Sequence, residues 1–468
     1  MSKSLSNKDY LFQQVYDYTR NKIERNEWRE HDKLPSIRKL SIELNVHRLT
    51  VFKAYQLLKQ HNLVYVKDKS GYYVHSHTSS HLQNPDHPIV HAYVQKNYLS
   101  EIHQTPVNYD FSHAVIDPNL LPNQFLSEYV KKVFDLYPKV LSTYSTVQGD
   151  QELRETLANY FTHQYKMHLS ANDLLITSGS QQALHIIAQT FIKPRDVILF
   201  ERPSYSAAID VFKNQGARIV TADITERGYD LDQIEALMKE FKPRLFYLNP
   251  TFHNPTGFCI SSAQRKRLVE LAEKYRCLLI EDDPYHDIHF GHPAPSPLFT
   301  YDTAGTVIYV RSFCKYISPG LRIAAMVFPS PLRNTLITSK SLIDNGSPLL
   351  NQKIFLHYFS SLRMQQHLKK IQIALQIRKE IMEEILAETG WKWISPKGGL
   401  NLWVQLPEGI STEKLLAKSI EHSISFVPGE FCDPLKQPSS FIRLSYSYAN
   451  EKQIREGMER FISLTESM

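Results

Sequence analysis

The chain of 468 residues carries 54 Lys+Arg against 48 Asp+Glu, a net charge of +6, with 42% apolar residues. That length and composition allow two or three domains with sizeable cores, and the lack of any charge-free apolar run near about twenty residues excludes a membrane-spanning helix. The N-terminus, with Asp9 in an early polar mix, has no signal-peptide core, and Cys259, Cys277, Cys314 and Cys432 have neither paired nor metal-like spacing. The expectation is a cytoplasmic protein with reduced thiols and no metal site.

The charge is unevenly placed. Residues 1–75 hold 14 Lys+Arg against 8 Asp+Glu, while the remainder balances at 40 against 40. A basic module of this kind points to nucleic acid. Within it, Leu11, Phe12, Val15, Tyr16 and Ile23 follow helical spacing from Lys8 to Ile23. After a loop containing Trp28, residues Leu34–Leu44 read as a second helix, with Pro35 in its first turn and Ile37, Leu40 and Leu44 on one face; Asn45 is a stop signal. The next helix, about His47 to Gln60, turns Val51, Ala54, Tyr55 and Leu58 inward and leaves Arg48, Thr50 and Lys53 outside. Two helices joined by a short turn make a helix-turn-helix whose second helix reads DNA. The strand-like runs Leu63–Lys67 and Tyr72–Val74, joined by Asp68-Lys69-Ser70-Gly71, add a wing.

By its motifs Leu34-Pro35-Ser36-x-Arg38-x-Leu40, Val46-x-Arg48-x-Thr50-Val51 and Gly71, the segment Leu34–Val74 resembles the winged helix-turn-helix of GntR-type bacterial transcription regulators. The resemblance implies that Arg38, Arg48 and Thr50 contact DNA phosphates or bases and that Gly71 lets the wing approach the backbone. Two positions depart from the pattern: His47 stands where a small hydroxyl residue is common, and His61-Asn62 replaces an acidic-glycine pair.

Residues 76–106 are rich in Ser, His, Asn, Gln and Pro with scattered apolar positions, which reads as a flexible linker. Its histidines His77, His81, His87 and His91, like the later His286, His289 and His292, lack a fixed ligand spacing and read as solvated or loop residues rather than a metal site.

From about Val107 strand-like runs alternate with helical patterns, as in an α/β domain with a mainly parallel sheet. Leu174–Thr177 runs into Ser178-Gly179-Ser180-Gln181-Gln182 and a helix, a turn that offers backbone N–H groups and the Ser180 hydroxyl to a phosphate. Val197–Phe200 leads to Tyr205, whose ring either stacks on a flat cofactor or fills the core. Leu245–Leu248 leads to Asn249-Pro250 and Asn254-Pro255, a turn that fixes the Asn254 amide where it can meet a phenolate oxygen. Leu278–Glu281 leads to Asp282, an acid able to keep a pyridine nitrogen protonated, and to Tyr285, within reach of a ring hydroxyl. Val307–Val310 leads to Arg311-Ser312-Phe313-Cys314-Lys315, with Arg322 seven residues beyond the lysine. Burial favours the neutral, nucleophilic amine of Lys315, and Ser312 and Arg322 suit a phosphate. An aldehyde that carries a phosphate meets both demands, and pyridoxal phosphate fits. All these groups lie at the carboxyl ends of strands, where open α/β sheets bind ligands.

The ordered set resembles the fold-type I aminotransferases over residues 107–468, in the subgroup that includes kynurenine and α-aminoadipate aminotransferases. The resemblance implies a large domain with a mainly parallel sheet and a small C-terminal α+β domain. It gives Lys315 the internal aldimine with pyridoxal 5'-phosphate, Asp282 the pyridine nitrogen, Asn254 and Tyr285 the ring oxygen, and Tyr205 the ring face. Ser180, Gln181, Ser312 and Arg322 would hold the phosphate, and Tyr144, in Thr143-Tyr144-Ser145-x-x-x-Gly149, would reach a phosphate across a homodimer interface. Pro396–Trp403, Phe426–Gly429 and Phe441–Tyr446 look like the small domain, in which Arg443 matches the carboxylate-binding arginine. Cys314 replaces the usual serine before the lysine, which implies one weaker phosphate contact.

A GntR-type head (1–75), a linker (76–106) and an aminotransferase-like body (107–468) together resemble the MocR family of bacterial regulators. That implies a homodimeric transcription regulator that binds a double-stranded operator with two half-sites and senses an amine or amino-acid effector by external aldimine formation, the closure of the small domain then changing the grip on DNA. Two other readings stay open: a working aminotransferase with an accessory DNA-binding head, since every expected catalytic group is present, and a sensor of pyridoxal phosphate itself, in which Arg443 serves only structure.

Overall fold

The computed structural model describes residues 8–24, 27–28, 31–60, 63–67, 70–74 and 98–468. The chain divides between residues 96 and 97 into two compact units, a head and a body.

The head contains α1 (Lys8–Glu24), α2 (Ile37–Glu43), α3 (Arg48–Gln60), β1 (Val64–Lys67) and β2 (Gly71–Val74). Val15, Tyr16, Ile23, Leu40, Val51, Ala54, Tyr55 and Leu58 form its core with Leu34, Val64 and Val74. The inward set expected for α3 is fully buried, which is what apolar side chains at i, i+3, i+4 and i+7 achieve on one helical face. The second helix starts later than expected. Ser36 caps it, its Oγ accepting from the Lys39 N–H at 3.2 Å, so Pro35 lies outside the first turn and its carbonyl accepts from Tyr55 Oη at 2.9 Å. A hydroxyl that satisfies an orphan N–H outcompetes the proline's preference for the first helical position. Asn45 ends the helix with φ +50°. His47 precedes α3 and its Nδ1 accepts from the Leu49 N–H at 3.2 Å, so the imidazole takes over the work of a small capping hydroxyl. β1 and β2 pair antiparallel, Val64 opposite Val74 and Lys67 opposite Gly71. His61-Asn62, the wing residues Asp68 and Lys69, and residues 75–97, among them the linker histidines His77, His81, His87 and His91, lie outside the described residues.

The body opens with a helix, Tyr98–Gln104, inside the stretch read as linker. Ile102 is buried and Leu99 packs with Trp403, Val427 and Cys432, and this burial fixes a helix that two apolar residues in a polar run do not announce. The strands that follow are β3 (Tyr109–Asp110), β4 (Leu174–Thr177), β5 (Val197–Arg202), β6 (Arg218–Thr225), β7 (Gly228–Tyr229), β8 (Leu245–Leu248), β9 (Leu278–Asp283), β10 (Val307–Ser312) and β11 (Ala324–Val327), then β12 (Lys392–Trp393), β13 (Asn401–Gln405), β14 (Ile424–Ser425), β15 (Val427–Pro428) and β16 (Phe441–Ser445). Eight of them form one mixed sheet in the order β4-β11-β10-β9-β8-β5-β6-β7. The run β6, β5, β8, β9, β10 is parallel, and β11 is antiparallel to both β10 and β4. One face packs with Ile187, Phe200 and Tyr247, the other with Leu199, Phe246 and Leu279. Cover on both faces explains why these strands read as unbroken apolar runs rather than alternating ones. The smaller C-terminal sheet has the order β12-β13-β16-β15, and β14 pairs with β3, so the start of the body is stitched to its end.

Candidate functional site

The carboxyl ends of β4, β5, β8, β9 and β10 surround a pocket lined by Ser180, Tyr205, Tyr247, Asn249, Asn254, Asp282, Pro284, Tyr285 and Lys315. Six of these were expected from the sequence: Ser180, Tyr205, Asn254, Asp282, Tyr285 and Lys315. Parallel strands bring them together because each turn leaves the sheet on the same edge.

Asp282 and Asp283 are consecutive in β9 and so face opposite sides. Asp283 enters a buried cluster, accepting from Tyr309 Oη at 2.9 Å and pairing with His286 at 2.7 Å and Arg311 at 3.4 Å. Asp282 lines the pocket instead. Its Oδ2 accepts from Tyr247 Oη at 2.8 Å, while its buried Oδ1 has no hydrogen-bond partner among the described residues. Burial pushes this carboxyl up to about 7, against the opposing pull of the Tyr247 hydrogen bond. An unmet buried oxygen of this sort costs about 1–3 kcal/mol, which a ligand N–H donor would recover.

Lys315 follows β10 and its Nζ donates to the Ala114 carbonyl at 3.0 Å. Burial brings its ammonium down to about 8, helped by the nearby cations Arg443 and Arg322. Tyr205 immediately precedes the helix Ser206–Asn214 without a side-chain cap bond, and burial pushes its phenol up to about 12. Asn254 Nδ2 donates to Tyr285 Oη at 3.4 Å, and the Asn254 backbone N–H donates to Asn249 Oδ1 at 2.6 Å. The Asn254 Oδ1 accepts from Arg443 Nη1 at 3.1 Å. Arg443, on β16 and buried, also donates through Nη2 to the Ser112 carbonyl, and its Nε has no partner among the described residues. The arginine therefore sits beside the amide expected at the ring oxygen.

The turn after β4 carries the anion features. The helix Ser180–Phe191 begins at Gly179, with φ +88° and no side-chain cap, leaving its first N–H groups open. Arg322 Nη2 donates to the Ser178 carbonyl at 3.0 Å, and a Cβ added to Gly179 would lie 2.5 Å from that Nη2. Glycine is thus what lets the guanidinium lie against the turn. Ser180 is half-buried and Gln181 exposed, while Ser312 is buried at the end of β10. Tyr144 is 86% exposed and does not line the pocket of its own chain.

Tyr247, Asn249 and Pro284 are the lining residues without a sequence-predicted role. Tyr247 looked like one more apolar strand residue, and Asn249 stood in a motif whose other asparagine drew the attention. The carbonyls of Ser112 and Ala114 carry no side-chain signal at all.

In the head, Arg38 and Arg48 are exposed, Thr50 is half-buried in the first turn of α3, and Lys53 is exposed beside it. Gly71 opens β2 with φ +119°, and Lys67 opposite it lies over the Tyr73 ring at 4.7 Å.

Residues 121–461 match the family described as aminotransferase class I and II, and residues 11–74 match the bacterial regulatory proteins of the gntR family. The uncharacterized HTH-type transcriptional regulator YdfD of Bacillus subtilis is 29% identical over 96% of this chain and 94% of its own length. Among solved structures, the kynurenine aminotransferase of Pyrococcus horikoshii superposes with a TM-score of 0.76 at 28% identity, covering 81% of this chain and 96% of its own. LysN, the α-aminoadipate aminotransferase of Thermus thermophilus, solved with N-(5'-phosphopyridoxyl)-L-leucine, gives 0.75 at 29% identity over 81% and 96%. The fold family binds pyridoxal phosphate. The pocket fits that group: a lysine of lowered basicity, a carboxylate oxygen without a donor, and an arginine over a glycine turn at a helix start.

Proposed function

The chain belongs to the aminotransferase class I and II family and carries a gntR-family DNA-binding domain, and on that premise we propose that it is a transcription regulator whose body senses a primary amine bearing a carboxylate. The single observation that carries this reading is the joining of a complete lysine pocket to a DNA-reading head, an arrangement aligned along 96% of the chain with a relative named as a transcriptional regulator.

Pyridoxal phosphate, when bound, supplies an aldehyde that condenses reversibly with a primary amine. The residues do the rest. Ser180, the N–H groups that open its helix, Ser312 and Arg322 would hold the phosphate, with Gln181 at the rim. Asp282 Oδ1 would accept a hydrogen bond from the protonated ring nitrogen, and Tyr247 keeps the other carboxylate oxygen in place. Asn254 and Tyr285 would meet the ring oxygen, and Tyr205 would cover the ring face. Lys315, with its basicity lowered to about 8, keeps a larger neutral fraction near neutral pH than a free lysine does. Arg443 would take the effector's carboxylate as a planar fork, exchanging its bonds to Ser112 and Asn254 for it. Tyr144, exposed on its own chain, would complete the phosphate site of a partner in a homodimer, and two heads would then meet two half-sites of an operator through Arg38, Arg48, Thr50 and the Gly71 wing.

A second reading is favoured by the same pocket: nothing needed for transamination is missing, so the body would turn over amino acids and the head would only localise it. Absorbance of the loaded protein, followed through additions from an amine and amino-acid panel with and without a keto acid, separates the two. A spectral change that one compound produces and holds supports sensing. Sustained conversion of the keto acid overturns it.

A further inference from the structure

The chain enters the body from the head through the helix Tyr98–Gln104, and eight residues later it reaches the site itself. Ser112 and Ala114, two residues apart, present their carbonyls to the two ligand-binding cations: Ser112 to Arg443 and Ala114 to Lys315. The segment is rigidly held. Asp110 Oδ1 accepts from the Ser112 N–H and Oγ at 2.9 Å each, from the His113 N–H at 3.1 Å and from Ser425 Oγ at 3.0 Å, and His113 Nδ1 lies 2.5 Å from Asp110 Oδ2. The entry helix reaches the same point. His103 stacks on His113 with centroids 4.0 Å apart, and its Nε2 lies 3.4 Å from the Ser112 carbonyl. A carbonyl only accepts, so Nε2 carries the proton. One carbonyl oxygen is thus shared by the entry helix and by Arg443.

We propose that Asp110–Ala114 is the junction between the body's site and the chain that leads to the head, with His103 as a positioning residue: release of the Ser112 carbonyl by Arg443 on binding a carboxylate shifts the seat of His103 and loosens the helix Tyr98–Gln104. The inference rests on the proposed role of Arg443 in effector binding. It gives a sensed carboxylate a covalent route out of the pocket, since the element it disturbs continues directly into the connection to the head.

The test is backbone amide exchange of the full-length, pyridoxal phosphate-loaded chain, which requires neither DNA nor an amine. Arg443→Met is expected to raise exchange across residues 98–106 about tenfold and to leave the helix Gln151–Tyr165 unchanged. His103→Phe, which keeps the ring stack but no donor, is expected to raise exchange at Ser112 and His113, while His103→Gln, which keeps an N–H donor, stays at the wild-type rate; this pair decides the matter if Arg443→Met does not fold. Wild-type exchange at 98–106 in folded Arg443→Met, or identical behaviour of His103→Phe and His103→Gln, overturns the junction. Failure of every amine to alter DNA binding would instead strike the proposed function and leave the junction standing.

Discussion

In the head, the groups expected to meet DNA are exposed or half-buried on two helices and a hairpin that follow one another in sequence. In the body, Lys315, Asp282 and Arg443 come from three separated strands or strand ends and are drawn out of water. The two sites therefore obey different electrostatics. Exposed arginines act through a screened field and contribute one phosphate contact each, losing strength steadily with salt. Buried groups act through a few short bonds in a medium where an unmet partner is expensive, and burial is the largest cause that moves Asp282 up to about 7 and Lys315 down to about 8. Charge removal in the head should thus weaken binding by small degrees, whereas in the body it should weaken binding by an order of magnitude or more, or abolish it.

Four experiments sharpen that contrast, from the largest effect to the smallest. Lys315→Ala should eliminate the lysine-dependent absorbance of the bound cofactor and every amine response, while DNA affinity in the absence of amine stays within about twofold of wild type; a lost DNA affinity would mean that the head's competence depends on the pocket. Arg443→Gln should weaken carboxylate-bearing amines by roughly 10- to 100-fold, as loss of a charge-assisted pair implies, and leave amines without a carboxylate within about threefold; no selectivity in that loss would favour a sensor of the cofactor itself. The rate at which cofactor-free protein captures pyridoxal phosphate should climb about tenfold per pH unit below pH 8 and level off above it, because the neutral amine is the nucleophile and its folded value is depressed to about 8. A rise continuing to pH 10 would place Lys315 in an ordinary aqueous setting. Arg48→Ala should lower DNA affinity by about three- to tenfold, reducing the salt slope by about one, with no change in amine binding.

The contrast also governs what could be read from the residues. The head's elements were legible because its core repeats at helical spacing within one short stretch, and the exceptions were local: Ser36 took the cap that Pro35 suggested for the first turn, and His47 capped α3 in place of a hydroxyl. In the body, lysine, aspartate and asparagine at strand ends were legible as an ordered set, since buried polar residues at such places demand a chemical reason. What escaped were roles borne by backbone carbonyls or by a strand's inward face. Tyr247 looked apolar in the run Leu245–Leu248, yet its hydroxyl orients Asp282. The carbonyls of Ser112 and Ala114 leave no trace in composition. The helix Tyr98–Gln104 presents only Leu99 and Ile102 in polar surroundings, and its stability derives from tertiary contacts with Trp403, Val427 and Cys432, since seven residues are too few for a helix to stand alone.

The most direct test of the central claim is the affinity of the loaded, full-length protein for DNA fragments it retains from its own genome, measured while an amine panel is titrated to saturation of the absorbance signal. The account predicts that at least one carboxylate-bearing amine changes that affinity about tenfold or more, and that Lys315→Ala and Arg443→Gln abolish the change while retaining DNA binding. DNA affinity that stays constant when the pocket is saturated, with keto acid steadily consumed, would contradict it and make the body an enzyme.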